Sequence, residues 1–214
     1  MGVYYILQFL AIYLMGVSAT NSANHNVVGD DEKYRPKYHF TPDSMWMNDP
    51  NGLVYYKGKY HLFFQHNPQA NVWGNMSWGH ATSTDLYKWH EQPVAIACTP
   101  TSGIFSGSAV VDLKNTSGFG TTDNPPIVAI YTEHQYVDSN QSQCLAFSLD
   151  EGATFTKYEG NPVLDINAKN FRDPKVQWID NQWIMTVALA NDYKISFYSS
   201  SDLKSWTHLS NFCP

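Results

Sequence analysis

Residues 83–89 read STDLYKW, residues 148–155 read SLDEGATF and residues 200–206 read SSDLKSW. Each copy has Ser, one further residue, Asp, and an aromatic residue four or five positions later. A short Asp carboxylate accepts hydrogen bonds from nearby backbone N–H groups, so each copy predicts a turn. The aromatic residue that follows is expected to pack between neighbouring sheets.

A β-rich run precedes each of these turns. Repeats of 65 and 52 residues, measured from Asp85 to Asp150 and from Asp150 to Asp202, are typical of propeller blades when each holds several short strands. The sequence therefore predicts an all-β propeller, and an irregular β-sandwich with chance similarity is the alternative. The predicted blades cover residues 48–89, 104–158 and 171–206.

Three blades do not close a propeller, because such folds typically need about four to eight. We therefore expect either that the chain holds only the first three blades of a larger propeller, with apolar sheet faces left open, or that the fold is not a propeller.

The composition excludes several classes of protein. Charged residues and aromatic residues each make up 15% of the chain, and a disordered chain is instead charge-rich and poor in aromatics. No apolar run approaches the roughly 20 residues of a membrane-spanning helix. The net charge of -6 disfavours a nucleic-acid surface, because such surfaces are usually basic. The low charge and many aromatics favour an uncharged ligand.

The N-terminus predicts export from the cell. Residues 3–17 read VYYILQFLAIYLMGV, an apolar run of 15, and Val17-Ser18-Ala19 is a small-residue cleavage pattern. We interpret residues 1–19 as a signal peptide, 20–38 as a polar leader and 39–214 as the folded portion, secreted and free of the membrane after cleavage. The alternative is a buried strand or helix at the start of the domain.

Sequons and cysteines bear on the same question. Glycosylation is predicted at the three Asn-x-Ser/Thr sites, Asn75, Asn115 and Asn140. The odd number and wide spacing of the cysteines, Cys98, Cys144 and Cys213, fit neither a disulfide framework nor a metal site. A bond between Cys98 and Cys144 and buried free thiols both stay open.

Chemistry-bearing residues concentrate where blades begin. Residues 46–52 read WMNDPNG and residues 171–174 read FRDP, so both predicted blades open on Asp-Pro. In a propeller the first strand of each blade lines the centre, so Asp49 and Asp173 are expected to converge there. Two carboxylates with Trp nearby are typical of a sugar site. The alternative is that each Asp only satisfies a turn.

The segment WMNDPNG resembles the signature of glycoside hydrolase family 32, the invertases, inulinases and related β-fructofuranosidases. The similarity covers about residues 39–206 and is closest to secreted yeast and filamentous-fungal members. It implies a five-bladed β-propeller followed by a β-sandwich. The further runs that match in order are FFQHNP at 63–68, WG at 73–74, WGHA at 78–81, FSGS at 105–108 and FRDPK at 171–175.

The resemblance implies a role for each matched position. It makes Asp49 the nucleophile and Asp173 the stabiliser of the transition state. The implied reaction is retaining hydrolysis of β-fructofuranosidic bonds in sucrose or fructans through a covalent fructosyl-enzyme, with neither a metal nor an organic cofactor. Its partner is a small-molecule or oligosaccharide substrate. The implied substrate-binding residues are Asn48, Gln65, Trp73, Phe105, Ser106 and Arg172.

One family element has no counterpart in the sequence. The family acid/base is a Glu in a Glu-Cys-Pro run, whereas this chain has Cys213-Pro214 without that Glu. We interpret Cys213-Pro214 either as a remnant of the motif or as chance similarity, and no motif assigns Glu133 to the acid role. The sequence thus supports an incomplete fructosidase-type hydrolase. The alternative is a non-catalytic propeller fragment or weak sugar binder.

Overall fold

The computed structural model describes residues 33–213, so the predicted signal peptide lies outside the described residues. Antiparallel strands dominate this part of the chain, and the only helix within it is a single 3-10 turn, Ala190–Asp192. The strands are β1 Trp46–Tyr56, β2 Lys59–Asn67, β3 Ser77–Ser83, β4 His90–Ile96, β5 Ser102–Val111, β6 Ile127–Gln135, β7 Gln141–Ser148, β8 Thr156–Lys157, β9 Phe171–Ile179, β10 Gln182–Leu189, β11 Lys194–Ser200 and β12 Thr207–Phe212.

These strands form three four-stranded antiparallel sheets, each in sequence order. We call them sheet 1 (β1–β4), sheet 2 (β5–β8) and sheet 3 (β9–β12). The first strands lie side by side, β1 against β5 and β5 against β9. This arrangement confirms the prediction of propeller blades, about three of which are present, and the β-sandwich alternative is wrong.

The predicted bounds of the first and third blades were too short. Sheet 1 continues past Trp89 into β4, and sheet 3 continues past Trp206 into β12. Both outer strands are poorly buried: β12 has no buried residue, and β4 has one, Ile96. They therefore lack the apolar alternation by which a strand is recognised in a sequence.

The three Ser-x-Asp repeats are the predicted turns, and each joins the third strand of a sheet to the fourth. Asp85 Oδ1 accepts hydrogen bonds from the N–H groups of Tyr87 and Lys88 at 2.8 and 2.7 Å. Asp202 Oδ1 accepts from two N–H groups at 2.9 and 2.8 Å, and Asp150 Oδ1 accepts from one at 2.9 Å. The carboxylate thus satisfies backbone donors that the turn takes out of the sheet.

Apolar side chains fill the spaces between sheets, and sheet 2 contributes to both. Along β6, Tyr131 belongs to the cluster between sheets 1 and 2, whereas Val128 and Ile130 belong to the cluster between sheets 2 and 3. We call these spaces the first and the second interface. Because both faces of β6 are buried along residues 127–131, this part of the strand is continuously apolar rather than alternating.

The aromatic residue after each turn follows the prediction in two of the three copies. Phe155 of sheet 2 packs edge-on against Phe63 of sheet 1, with ring centroids 5.4 Å apart, and Trp206 packs on the second interface. Trp89 instead packs within its own sheet and against Phe40. For Trp89 the prediction was wrong, since no preceding sheet lies beside sheet 1 in the described residues.

All three cysteines are free thiols, so the disulfide alternative is wrong. The sequon residue Asn75 is exposed, whereas Nδ2 of Asn115 donates to Gly120 O at 2.7 Å and Nδ2 of Asn140 contacts Asp165. Glycosylation at the three sites stays a prediction. Within residues 33–213, no helix has both the length and the apolar character needed to cross a membrane.

Candidate functional site

A cavity of about 260 Å³ opens where the first strands of the three sheets begin. Each of these strands contributes an adjacent pair of residues, and β2 and the loop after it contribute one residue each. The structure therefore brings together all the residues that the sequence singled out for catalysis and binding. They are Asn48, Asp49, Gln65, Trp73, Phe105, Ser106, Arg172 and Asp173.

Each first strand breaks its regular pairing at the cavity. The register shifts between Met47 and Pro50 in β1, between Ile104 and Gly107 in β5, and between Arg172 and Lys175 in β9. A β-bulge releases residues from the ladder and re-aims their side chains. The same local irregularity thus turns one pair of side chains per sheet into the cavity.

The bulge in β5 depends on a glycine. A Cβ atom at Gly107 would lie 2.0 Å from the carbonyl oxygen of Ile130 and 2.8 Å from Cα of Tyr131. Only a residue without a side chain allows β5 to approach β6 this closely. This approach places Phe105 and Ser106 immediately before the point of contact, at the cavity.

Hydrogen bonds hold both residues of the β1 pair: Asp49 bonds to a residue of β5, and Asn48 bonds to a residue of its own strand. Ser106 Oγ donates a hydrogen bond to Asp49 Oδ2 at 2.7 Å, which joins sheet 2 to sheet 1 across the cavity. Trp46 Nε1 donates to Asn48 Oδ1 at 2.8 Å. The Asp49 side chain is exposed, and Ser106 contacts only one of its two carboxylate oxygens.

Asp173 lines the same cavity. Solvent reaches its side chain, yet the surrounding protein desolvates the carboxyl and raises its pKa above the ordinary value; the Arg172 guanidinium opposes this rise and the negative charge of Asp49 adds to it. Asp49 and Asp173 thus line one cavity, as the sequence predicts.

An aromatic wall borders the cavity. The Trp73 and Phe105 rings meet edge to face with centroids 6.0 Å apart, and Trp73 is 58% exposed. The other face of Phe105 stacks on His134, at 4.6 Å and 17° between the ring planes. Burial, and then the positive charge of Arg172, lower the pKa of His134. Exposed aromatic faces of this kind suit the C–H surfaces of a sugar.

Gln65, a predicted substrate-binding residue, and Glu133, to which no motif assigns the acid role, form hydrogen bonds within the protein. Gln65 is buried, and its Nε2 donates to Ile104 O at 3.0 Å, tying β2 to β5. Glu133 does not line the cavity; its carboxylate accepts hydrogen bonds from Ser102 Oγ at 2.6 Å and Cys144 Sγ at 3.4 Å. Among residues 33–213, no three His, Cys, Asp or Glu side chains cluster as metal ligands would.

The sequence did not point to Thr132 and Gln143, two buried polar residues behind Asp173. Thr132 Oγ1 accepts a hydrogen bond from Asp173 N at 3.2 Å. The available signal was a polar residue next to apolar ones on the same strand face, in Val128-Ile130-Thr132 and in Leu145-Gln143. That signal has meaning only once the register between β6 and β7 is known.

Comparison with known proteins gives a consistent result. The family model for the glycosyl hydrolases family 32 N-terminal domain matches residues 39–214. A levanase of Bacillus subtilis is 52% identical over 185 residues, which are 85% of this chain and 27% of the levanase. The structure resembles an exo-inulinase from Aspergillus awamori, with a TM-score of 0.82 and 45% identity over 86% of this chain and 41% of that one.

A β-fructofuranosidase from Schwanniomyces occidentalis, solved with fructosyl-erythritol, is also similar. Its TM-score is 0.79 and it is 52% identical, over 84% of this chain and 36% of its own. The chain thus spans between about a quarter and two fifths of the length of these relatives. The family match over residues 39–214, the sequence identity of about half and the structural similarity all give the same result. The chain belongs to glycosyl hydrolase family 32.

Proposed function

We propose that the chain supplies the nucleophile and the fructosyl-binding side of a retaining hydrolase that cleaves β-fructofuranosidic bonds in sucrose or fructans. The observation that carries the proposal is one cavity in which two carboxylates, an arginine and an aromatic wall meet. Support comes from the relatives, whose names are levanase, exo-inulinase and β-fructofuranosidase.

In the proposed reaction Asp49 attacks the anomeric carbon of the fructosyl unit. Its carboxylate oxygen forms an ester bond to that carbon while the bond from the carbon to the leaving-group oxygen breaks. Water then attacks the same carbon and restores the free carboxylate, so the configuration is retained. The Ser106 hydroxyl orients Asp49 during both steps through its hydrogen bond.

Arg172 and Asp173 bind the fructosyl hydroxyls in this proposal. The guanidinium offers several donors in a fixed plane, and the Asp173 carboxylate accepts hydrogen bonds that strengthen as positive charge develops on the sugar ring. Asn48 and Gln65 add amide groups, and Trp73 and Phe105 pack on the C–H surface of the sugar.

Retaining hydrolysis also needs a carboxylic acid, about 5–5.5 Å from the nucleophile, that protonates the leaving oxygen. None of the Glu residues in 33–213 lines the cavity, and we propose that the 214 residues by themselves bind a fructosyl unit without cleaving it. Loss of a general acid typically costs about 10²–10⁴-fold in rate. Sugar binding without hydrolysis is therefore the second candidate function.

Export from the cell and glycosylation belong to the same proposal. They are supported by the apolar run and sequons of the sequence and by the extracellular exo-inulinases among the relatives, such as that of Aspergillus ficuum. The natural source, grown in culture and fractionated, should hold the protein in the medium with residues 1–19 removed. Retention in the cell pellet would contradict this part.

Hydrolysis is tested by comparing the chain alone with a fusion to the segment of the Schwanniomyces occidentalis enzyme that follows the matched part. We expect fructose release from sucrose by the fusion and none above the blank by the chain alone. Asp49→Ala in the fusion should abolish release, whereas Asp192→Asn, a carboxylate change outside the cavity, should leave it intact. Activity retained in Asp49→Ala would refute the role of Asp49.

A further inference from the structure

The second interface changes character along its length. On the faces of β6 and β7 that meet sheet 3, the apolar residues Val128, Ile130 and Leu145 give way to Thr132 and Gln143. These two residues are directly opposite each other in the β6–β7 register, and both are fully buried. Fully buried polar side chains are tolerated only with hydrogen-bond partners. The partners of Thr132 and Gln143 show which part of sheet 3 these side chains fix in place.

The partners lie in the segment that carries the candidate site. Thr132 Oγ1 donates to Gln143 Oε1 at 2.8 Å, and Gln143 Nε2 donates to Phe171 O at 2.8 Å. Asp173 N donates back to Thr132 Oγ1 at 3.2 Å. The Thr132–Gln143 pair thus forms hydrogen bonds with the β9 backbone at the residue before Arg172 and at the residue after it.

Asp173 has a backbone conformation that needs support from its surroundings. It lies within the register shift of β9, where no β10 residue is paired with it, so the Thr132 hydroxyl takes the place of a ladder acceptor. Its φ of 63° is in the left-handed region, which non-glycine residues seldom adopt. Such a conformation persists only where the surroundings impose it.

We propose that Thr132 and Gln143 are positioning residues of the fructosyl site, which fix the β9 bulge so that Arg172 and Asp173 point into the cavity. This inference rests on the proposed function, since it assigns what the site binds. The competing interpretation is that the pair only satisfies buried polar groups between two sheets and contributes stability alone.

The chain offers a matched control for that competing interpretation. Ser108 is also buried, and its Oγ accepts a hydrogen bond from Val176 N at 3.0 Å across the same interface. Ser108 does not line the cavity. Ser108→Ala and Thr132→Val each remove one hydroxyl that links sheet 2 to a backbone N–H of β9, so both lower thermal stability, but only Thr132→Val affects Asp173.

The experiment measures fructose affinity by calorimetry, together with the melting temperature, for the whole chain and its variants. Thr132→Val and Gln143→Met should weaken fructose binding about tenfold or more, as loss of a hydrogen bond to a charged group would. Thr132→Ser, which keeps the hydroxyl, should restore affinity, and Ser108→Ala should bind fructose like the unchanged protein.

Each result separates the two proposals. If the unchanged protein binds no fructose, the proposed function fails and this inference fails with it. If the protein binds fructose and Thr132→Val binds as tightly as Ser108→Ala, the inference is overturned and the proposed function stands. Should a variant not fold, exchange of the Asp173 N–H in the unchanged protein decides: protection supports the hydrogen bond to Thr132, and exchange at the unprotected rate overturns it.

Discussion

The two interfaces of sheet 2 are alike in their apolar parts and different in their polar parts. The first interface encloses His61 and His80, which stack with ring centroids 5.3 Å apart and share a contact of 3.1 Å between Nδ1 and Nε2. The second encloses the Thr132–Gln143 pair. One polar cluster can change its charge with pH, and the other cannot.

The two clusters also differ in how completely they are satisfied. His61 Nε2 is buried without a hydrogen-bond partner, whereas each polar side-chain atom of Thr132 and Gln143 has one. The histidine pair ends against the turn of sheet 2, where Gly152 leaves room for the ring of His61. The first interface therefore contains a site of acid sensitivity, and the second contains the support of the candidate site.

The largest expected effects test whether the apolar parts are equivalent. Phe63→Ala in the first interface should lower the free energy of unfolding by about 3–5 kcal/mol, and Met185→Ala in the second by about 2–5 kcal/mol. Both side chains are fully buried, so each truncation loses apolar burial and leaves a cavity. Urea denaturation measures both losses, and a variant as stable as the unchanged protein would show that the sheets do not pack there.

A pH titration should then separate the interfaces. Burial lowers the pKa of His61, and it lowers the pKa of His80 to about 3, with the charge of His61 contributing. A lowered pKa in the folded state means that the unfolded state binds protons first. Stability is therefore complete above the ordinary histidine pKa of about 6.5 and declines below it, by up to about 1.4 kcal/mol per pH unit for one histidine.

Variants assign that decline to its source. His80→Gln should flatten the dependence of unfolding free energy on pH between about 6 and 4. His208→Gln, a change of the same kind at an exposed position on β12, should leave the slope unchanged. Equal slopes in the unchanged protein and in His80→Gln would mean that the histidine pair is not the acid-sensitive part.

The smallest expected effect concerns the repeated turn at the edge of the second interface. Burial alone would raise the pKa of Asp202, but hydrogen bonds from Ser205 N and Lys204 N outweigh it and lower the pKa. Asp202→Ala should reduce stability by about 1 kcal/mol, without changing fructose affinity. The contribution is present above the ordinary Asp pKa of about 3.9 and is lost as pH falls through the folded value.

A calorimetric melt of Asp202→Ala beside Asp202→Asn checks this prediction, because Asn keeps an oxygen acceptor and should lose less. A loss of fructose affinity in Asp202→Ala would show that the turn and the site are not independent. The Thr132–Gln143 pair would then not be the part of the second interface that alone supports fructose binding.

The Ser-x-Asp turns could be predicted from the sequence, whereas the Thr132–Gln143 pair could not. The Ser-x-Asp turns are local: Asp85 bonds N–H groups two and three residues away, so the residues needed for the prediction are adjacent. The site residues were likewise found in contiguous runs such as WMNDPNG.

What the sequence did not reveal is non-local. Thr132 meets Asp173 across 41 residues of chain, and His61 meets His80 across 19, and neither spacing follows a strand or helix period. The outer strands β4 and β12 went unrecognised because pairing to a neighbour, rather than apolar side chains, holds them in the sheet.

The fructosyl site is tested most directly by a crystal structure of the protein grown with fructose. We expect one fructose in the cavity between β1, β5 and β9, with Asp49 facing its anomeric carbon and with Arg172 and Asp173 on its hydroxyls. Fructose bound elsewhere, or bound in the cavity with its anomeric carbon turned away from Asp49, would refute the proposed roles of these residues.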